Sequence, residues 1–152
     1  MKIEKTNSPV VIANLLEIVQ TKHHELLPDV FKPFDFDSFK SEAEKTLEES
    51  GQTFYVATIE GQYAGIIWLH ELPEKDNLST YARQTLKIEA LAVLPEFQGM
   101  GIGTELLNYA EQVAKAQQIE RLLLANWLVN DVATFYQDKG YQTFLSYQEK
   151  WL

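Results

Sequence analysis

The chain has 152 residues and a net charge of −9, from 22 acidic against 13 basic side chains, with no cysteine. That length fits one domain with a sizeable core, and the lack of cysteine excludes disulfides, a thiolate nucleophile and zinc–thiolate sites. The acidic balance argues against a nucleic-acid partner, whose phosphates require clustered Lys and Arg.

No apolar run reaches the roughly 18 residues of a membrane span. The charged start Met1–Thr6 has no signal-peptide core, so no membrane association and a cytoplasmic location are expected. The three histidines, His23, His24 and His70, match no metal-ligand spacing, and no metal is expected.

Taken in chain order, residues 1–6 suit a short strand. Ser8-Pro9 reads as N-cap and first helical position, and the helix runs to about Leu27, before Pro28. Its apolar seam is Ile12, Leu16, Val19, His23 and Leu26, spaced 4, 3, 4, 3. His23 is then either a packing residue or part of the lining of an acceptor pocket. The segment Leu27–Asp37 holds Phe31, Phe34 and Phe36 with two prolines and predicts an ordered aromatic cover. Asp37 or Ser38 is the expected cap of a second helix through about Ser50, stopped by Gly51.

Thr53–Glu60 and Tyr63–Leu69, rich in β-branched and aromatic residues, predict a hairpin turning at Glu60-Gly61-Gln62. Pro73–Ser79 reads as a turn. A further strand ends at Val93, with Lys87, Glu89, Leu91 and Val93 on one face by strict alternation. Next comes Gln98-Gly-Met-Gly-Ile-Gly103, leading into Thr104 and a helix over about 101–118, with Ile102, Leu106, Ala110 and Val113 at helical spacing. Three alternating glycines at a helix start leave backbone N–H groups unshielded. The helix dipole places roughly +0.5 of a charge there, which makes an anion site suited to phosphate. The spacing is neither a P-loop, for which a lysine is missing, nor a Rossmann fingerprint, for which the third glycine is misplaced and the region around Leu123 and Leu124 has no acid. A fifth strand over Arg121–Trp127, a short helix over about Asp131–Lys139 capped by Asn130, and a sixth strand over Tyr141–Trp151 complete the chain.

Gln98-Gly-Met-Gly-Ile-Gly103 resembles the acetyl-coenzyme A signature of the GNAT superfamily of N-acetyltransferases, with Gln98, Gly101 and Gly103 in its fixed positions. Asn130-Asp-Val-Ala-Thr-Phe-Tyr136, followed by Gly140-Tyr141, is similar to a second segment of that family. The resemblance is firm over 51–152 and rests on element order alone over 1–50. It implies a single α/β (α+β) domain, 1–152, in which 1–50 forms the acceptor side and 51–152 the cofactor core. The implied sheet is mixed, of about six or seven strands, antiparallel and then parallel at the cofactor cleft, flanked by about four helices.

The resemblance also implies a chemistry: acetyl transfer from acetyl-CoA to a small-molecule or peptide amine by direct attack. The pyrophosphate would sit on the backbone of Gly99, Met100, Gly101, Ile102, Gly103 and Thr104, with Gln98 completing the loop. The pantetheine arm would lie along Leu91, Ala92 and Val93. Tyr136 is the implied proton donor to the thiolate, or else a core tyrosine. Glu89 is the implied base, or an ion-pair partner beside an ordered water. Asn130 is a cap or a cofactor contact. His23, Phe31, Tyr55, Trp68, His70 and Tyr81 are candidates for the acceptor side. A homodimer is compatible with the resemblance, and the rival function is a non-catalytic acyl-CoA sensor or partner module on the same fold.

Overall fold

The computed structural model describes residues 1–152. Five strands, β1 (Lys2–Thr6), β2 (Gln52–Ile59), β3 (Gln62–Glu74), β4 (Arg83–Val93) and β5 (Arg121–Leu124), form one sheet in the order β1-β2-β3-β4-β5. The first four pair antiparallel, and β5 runs parallel to β4. Helices α1 (Pro9–Leu26) and α2 (Phe36–Glu48) cover one face; α3 (Ile102–Ala116) and the short α4 (Ala133–Gln137) lie on the other.

Local chemistry sets most element ends. Ser8 caps α1 through its Oγ, which accepts from the Val11 N–H at 3.4 Å, and Pro9 occupies the first turn, where its missing N–H costs nothing. The cap of α2 is Asp35, not Asp37 or Ser38: its carboxylate accepts from the Ser38 N–H at 2.9 Å, and the helix begins at Phe36. The β2–β3 turn has positive φ at both Glu60 and Gly61, as a tight hairpin requires.

The core has two layers. On one face Ile12, Leu15, Leu16 and Ala43 pack on Phe54, Val56, Ile66 and Ala92. On the other, Ile102, Leu106, Leu107 and Ala110 pack on Ala57, Ile67, Leu69, Leu86 and Ile88. Each fully buried Leu or Ile contributes roughly 1.5–3 kcal/mol, so α3 is bound to the sheet by its first two turns, next to the glycine loop.

The sheet has five strands rather than six or seven. Tyr141–Trp151 forms no strand, because its large apolar residues (Tyr141, Phe144, Leu145, Tyr147, Trp151) are spaced 3, 1, 2 and 4 and so define no single face. The Arg121 guanidinium lies 4.7 Å over the Phe144 ring. Strand β3 extends to Glu74, two residues into the segment expected to turn, and residues 75–82 form the β3–β4 loop; the Glu74 carboxylate holds Arg83 across the β3–β4 pair. Strand β5 stops at Leu124, three residues before the predicted end.

Candidate active site

The glycine loop is built to leave donors free. A single 3-10 turn, Pro95–Phe97, follows β4, and Gly99 and Gly101 then take φ of +77° and +80°. Side chains are disfavoured in that left-handed region, whereas glycine enters it freely. The Gln98 N–H donates to the Pro95 carbonyl and the Glu105 N–H to the Gly101 carbonyl; between them no N–H from Gly99 through Thr104 donates to a backbone carbonyl. These donors stand at the N-terminus of α3, where the helix dipole adds positive potential. A Cβ built on Gly99 or Gly101 would meet nothing within 4 Å, so the surface above the loop is open. On the inner side, a Cβ at Gly103 would come within 3.4 Å of the Phe135 ring and 3.8 Å of Leu91 and Val93.

Two side chains of the loop turn away from its open side. Gln98 does not face outward as an anion ligand: its Nε2–H donates to the Val93 carbonyl at 3.1 Å and ties the loop to the strand end. Ile102 buries its side chain in the core, so only its N–H faces out. Met100 and Thr104 flank the loop, Met100 largely exposed.

The second element is an open strand edge. β5 pairs with β4 only over Thr85–Ile88. The edge of β4 that faces β5 is therefore unpaired from Glu89 to Val93, over Ala90, Leu91 and Ala92. This is the open side a linear amide-bearing ligand can join as an added strand.

The third element is a β-bulge. Trp68 pairs with Ala90 and Leu69 with Ile88, which leaves Glu89 as the extra residue. The bulge changes the phase of the strand. Leu86, Ile88, Leu91 and Val93 lie on the α3 face, while Ala90 and Ala92 lie against the layer under α1 and α2. Glu89 thus does not share a face with Leu91 and Val93, as strict alternation predicted. It points to the α1/α2 face, where its Oε1 accepts from His70 Nδ1–H at 3.0 Å and its Oε2 from Lys87 Nζ at 2.7 Å. Burial pushes the Glu89 carboxyl up, but hydrogen bonds and charge from Lys87 and His70 outweigh it and hold the group below the usual carboxylate range.

Tyr136 sits in α4, packed with Phe135 on the α3-side core, its ring 5.8 Å from that of Tyr141. Burial raises its phenol above the ordinary tyrosine value, so it carries its proton at neutral pH. Tyr141 is pushed up to about 12, first by burial and then by Glu111 and Tyr136, and its buried hydroxyl has no hydrogen-bond partner. Asn130 is not the cap of α4. It ends a 3-10 turn, Asp131 follows in the left-handed region, and Val132 precedes the helix with no side-chain cap.

The acceptor-side candidates divide between the two faces. His23 and Phe31 meet with ring centroids 4.6 Å apart, and Trp127, which the sequence did not single out, closes edge-on to Phe31 at 5.1 Å. His24 fixes that cover by donating from Nδ1 to the Phe31 carbonyl at 2.7 Å. Burial lowers the pKa of His23. Trp68 stacks on Phe54 and donates from Nε1 to Gln52 Oε1 at 2.7 Å, beside His70 on the same face. Tyr55 faces the other way, against Tyr109 of α3 at 4.8 Å, and so is not on the α1/α2 side. Tyr81 is 89% exposed in the β3–β4 loop and lines nothing.

A shallow depression of about 530 Å³ among Met1, Lys2, Glu4, Thr58 and Tyr63 lies at the β1 edge of the sheet, with none of these groups in it.

A family model described as the acetyltransferase (GNAT) family matches residues 16–141. No curated protein sequence matches the chain. Among solved structures, a mutant protein from Bacillus halodurans superposes with a TM-score of 0.92 at 22% identity, over 100% of this chain and 99% of that one. A predicted acetyltransferase with acetyl-CoA from Clostridium acetobutylicum gives 0.70 at 16% identity, over 98% and 94%. An aminoglycoside acetyltransferase from an uncultured soil metagenomic sample, in complex with sisomicin, gives 0.65 at 18% identity, over 99% and 95%.

Proposed function

Because the chain belongs to the acetyltransferase (GNAT) family, we propose that it transfers the acetyl group of acetyl-CoA to a primary amine by direct attack. The observation that carries this reading is the run of N–H groups from Gly99 to Thr104 with no backbone acceptor, set at the start of α3 beside an unpaired stretch of β4. Such donors suit a pyrophosphate, and the open edge suits a chain of amides leading from it.

When bound, acetyl-CoA supplies a thioester whose carbonyl carbon accepts the amine. The Gly99–Thr104 backbone holds the phosphates, and Gln98 keeps the loop against Val93. The Leu91–Val93 backbone aligns the arm toward the bulge at Glu89. Tyr136, kept protonated by burial, donates its proton to the departing sulfur. The Glu89 cluster supplies negative charge where an ammonium arrives, and its proton-accepting capacity lets the amine attack as a neutral nucleophile. His23, Phe31 and Trp127 form an aromatic wall suited to an amine with apolar or cationic surface. A net charge of −9 favours cationic acceptors in the same direction.

Calorimetric titration with acetyl-CoA, with adenosine diphosphate and NAD as controls, tests the binding half. Thiol release on addition of spermidine, sisomicin or 2-phenylethylamine tests the transfer half. Selective binding with thiol release is expected. Selective binding without release from any amine would make the chain an acyl-CoA sensor, and no binding would overturn the reading of the loop.

A further inference from the structure

The polar corner of β3 and β4 is arranged as a pair, not as a lone carboxylate. Both Glu89 oxygens are already occupied, Oε2 by the Lys87 ammonium and Oε1 by the His70 ring. A carboxylate clamped by an ammonium and an imidazole N–H is a poor proton acceptor. A carboxylate can only accept, so the proton of a neutral His70 is fixed on Nδ1, and Nε2 carries the lone pair on the opposite side of the ring. The His70 side chain is 27% exposed.

We infer that His70 takes the proton of the incoming amine through Nε2 and that Glu89, brought beside it by the β4 bulge, is its positioning residue. The inference deepens the acetyl-transfer reading above and rests on it. The charged groups facing His70 are Glu89 and Lys87 from β4. From β2 comes the uncharged Gln52, opposite His70 in register, held by Trp68 and bonded through its Nε2–H to Glu49 at the end of α2. The helices above cover the face with apolar residues, among them Ile12, Leu16, Phe39 and Leu47.

The step balances. The ammonium gives one proton to Nε2, and the imidazolium so formed stays paired with the Glu89 carboxylate. The freed nitrogen lone pair forms the C–N bond to the thioester carbon. The C–S bond breaks with its electrons on sulfur, which takes the Tyr136 proton. Tyr136 is reprotonated by the second proton lost from the amine nitrogen, and His70 returns its own to solvent. The products are one amide, one thiol and one proton.

The test uses the full chain with acetyl-CoA and whichever of the three amines wild type accepts. His70→Gln should lower kcat/KM by roughly 10²-fold or more while leaving the affinity for acetyl-CoA unchanged. The acidic limb of the wild-type kcat/KM profile should be lost in His70→Gln. Glu89→Gln should retain that limb, because the His70 ring that accepts the proton is still present. An acidic limb below about pH 4.5 that survives in His70→Gln and vanishes in Glu89→Gln would assign the proton to Glu89 and overturn the inference. Nitrogen-15 NMR of the unliganded protein gives a readout independent of turnover: the Nδ1–H tautomer of His70 is expected, and an Nε2–H tautomer would also overturn it. Wild-type protein that binds no acetyl-CoA, or releases no thiol, defeats the acetyl-transfer reading itself. Wild-type turnover with an unaffected His70→Gln variant defeats only the assignment of His70.

Discussion

Replacing Gly101 by Glu puts a carboxylate where the phosphates are proposed to bind, and its effect can be separated from simple damage to the fold. Gly101 has φ +80° and ψ 1° at the N-cap of α3, so any other residue there is strained. The strain costs roughly 1–2 kcal/mol, equivalent to a Tm lowered by about 2–8 °C for a chain of this size. No clash adds to that, because a Cβ at this position meets nothing within 4 Å. Gly101→Ala therefore carries the strain alone, whereas Gly101→Glu carries the same strain and a charge. At about 6 Å and an effective dielectric constant of about 20, each like-charge pair costs about 3 kcal/mol, a loss of more than 10²-fold in affinity from the nearer phosphate alone. Thermal melts should place the two variants within a few degrees of each other. Calorimetry should show acetyl-CoA binding retained in Gly101→Ala and lost in Gly101→Glu. If Gly101→Glu binds as tightly as Gly101→Ala, the phosphates do not lie on this loop and the cofactor assignment is wrong.

Three further outcomes follow from the geometry. Tyr136→Phe keeps the ring packed against the core and removes only the hydroxyl; kcat should fall by roughly 10²-fold or more with cofactor affinity little changed, and an unchanged kcat would make Tyr136 a packing residue only. Glu89, whose folded pKa is depressed, contributes stability that is present above its ordinary value and lost as pH falls through its lower folded value. Urea melts between about pH 6 and 3 should show wild type losing more stability than Glu89→Gln, and parallel curves would mean that the Lys87 and His70 contacts do not act on its titration. Gly65→Ala would place a Cβ 2.6 Å from the Ala92 carbonyl oxygen, which is backbone and cannot step aside. A loss of about 1–3 kcal/mol in denaturant melts is expected, and a change below about 0.5 kcal/mol would show that β3 and β4 separate more easily than their packing implies.

Hydrophobic periodicity and capping chemistry made most of the fold legible, and the exceptions have specific causes. The Ser8-Pro9 start of α1 and the glycine loop before α3 are written in single residues with strong backbone preferences, so they could be read directly. The bulge at Glu89 could not be reached by strict alternation, yet its trace is present: Leu86, Ile88, Leu91 and Val93 are spaced 2, 3, 2, and the step of 3 falls across the bulge. The pairing of Glu89 with His70 depends on strand register between residues 19 apart and has no local signal. Asn suits an N-cap in general, but after Asn130 the left-handed Asp131 delays the helix by two residues. Trp127, at the end of the expected strand, lies three residues past the end of β5 at Leu124 and so is free to meet Phe31. The last segment, Tyr141–Trp151, is rich in large apolar residues but lacks the regular spacing that a sheet face requires.

The short reach of β5 has a consequence for handling the protein in solution. An interior strand with one flank unpaired over Glu89–Val93 is a template for any extended peptide, including the same segment of a second molecule or its C-terminal tail, which exposes Tyr147 and Trp151. A ligand that lies along that flank would cap it as an edge-protecting strand does. Light scattering during slow heating should therefore rise earlier in buffer alone than with saturating coenzyme A, by more than the shift in melting temperature accounts for. Colloidal stability and substrate binding would then depend on the same five residues of backbone.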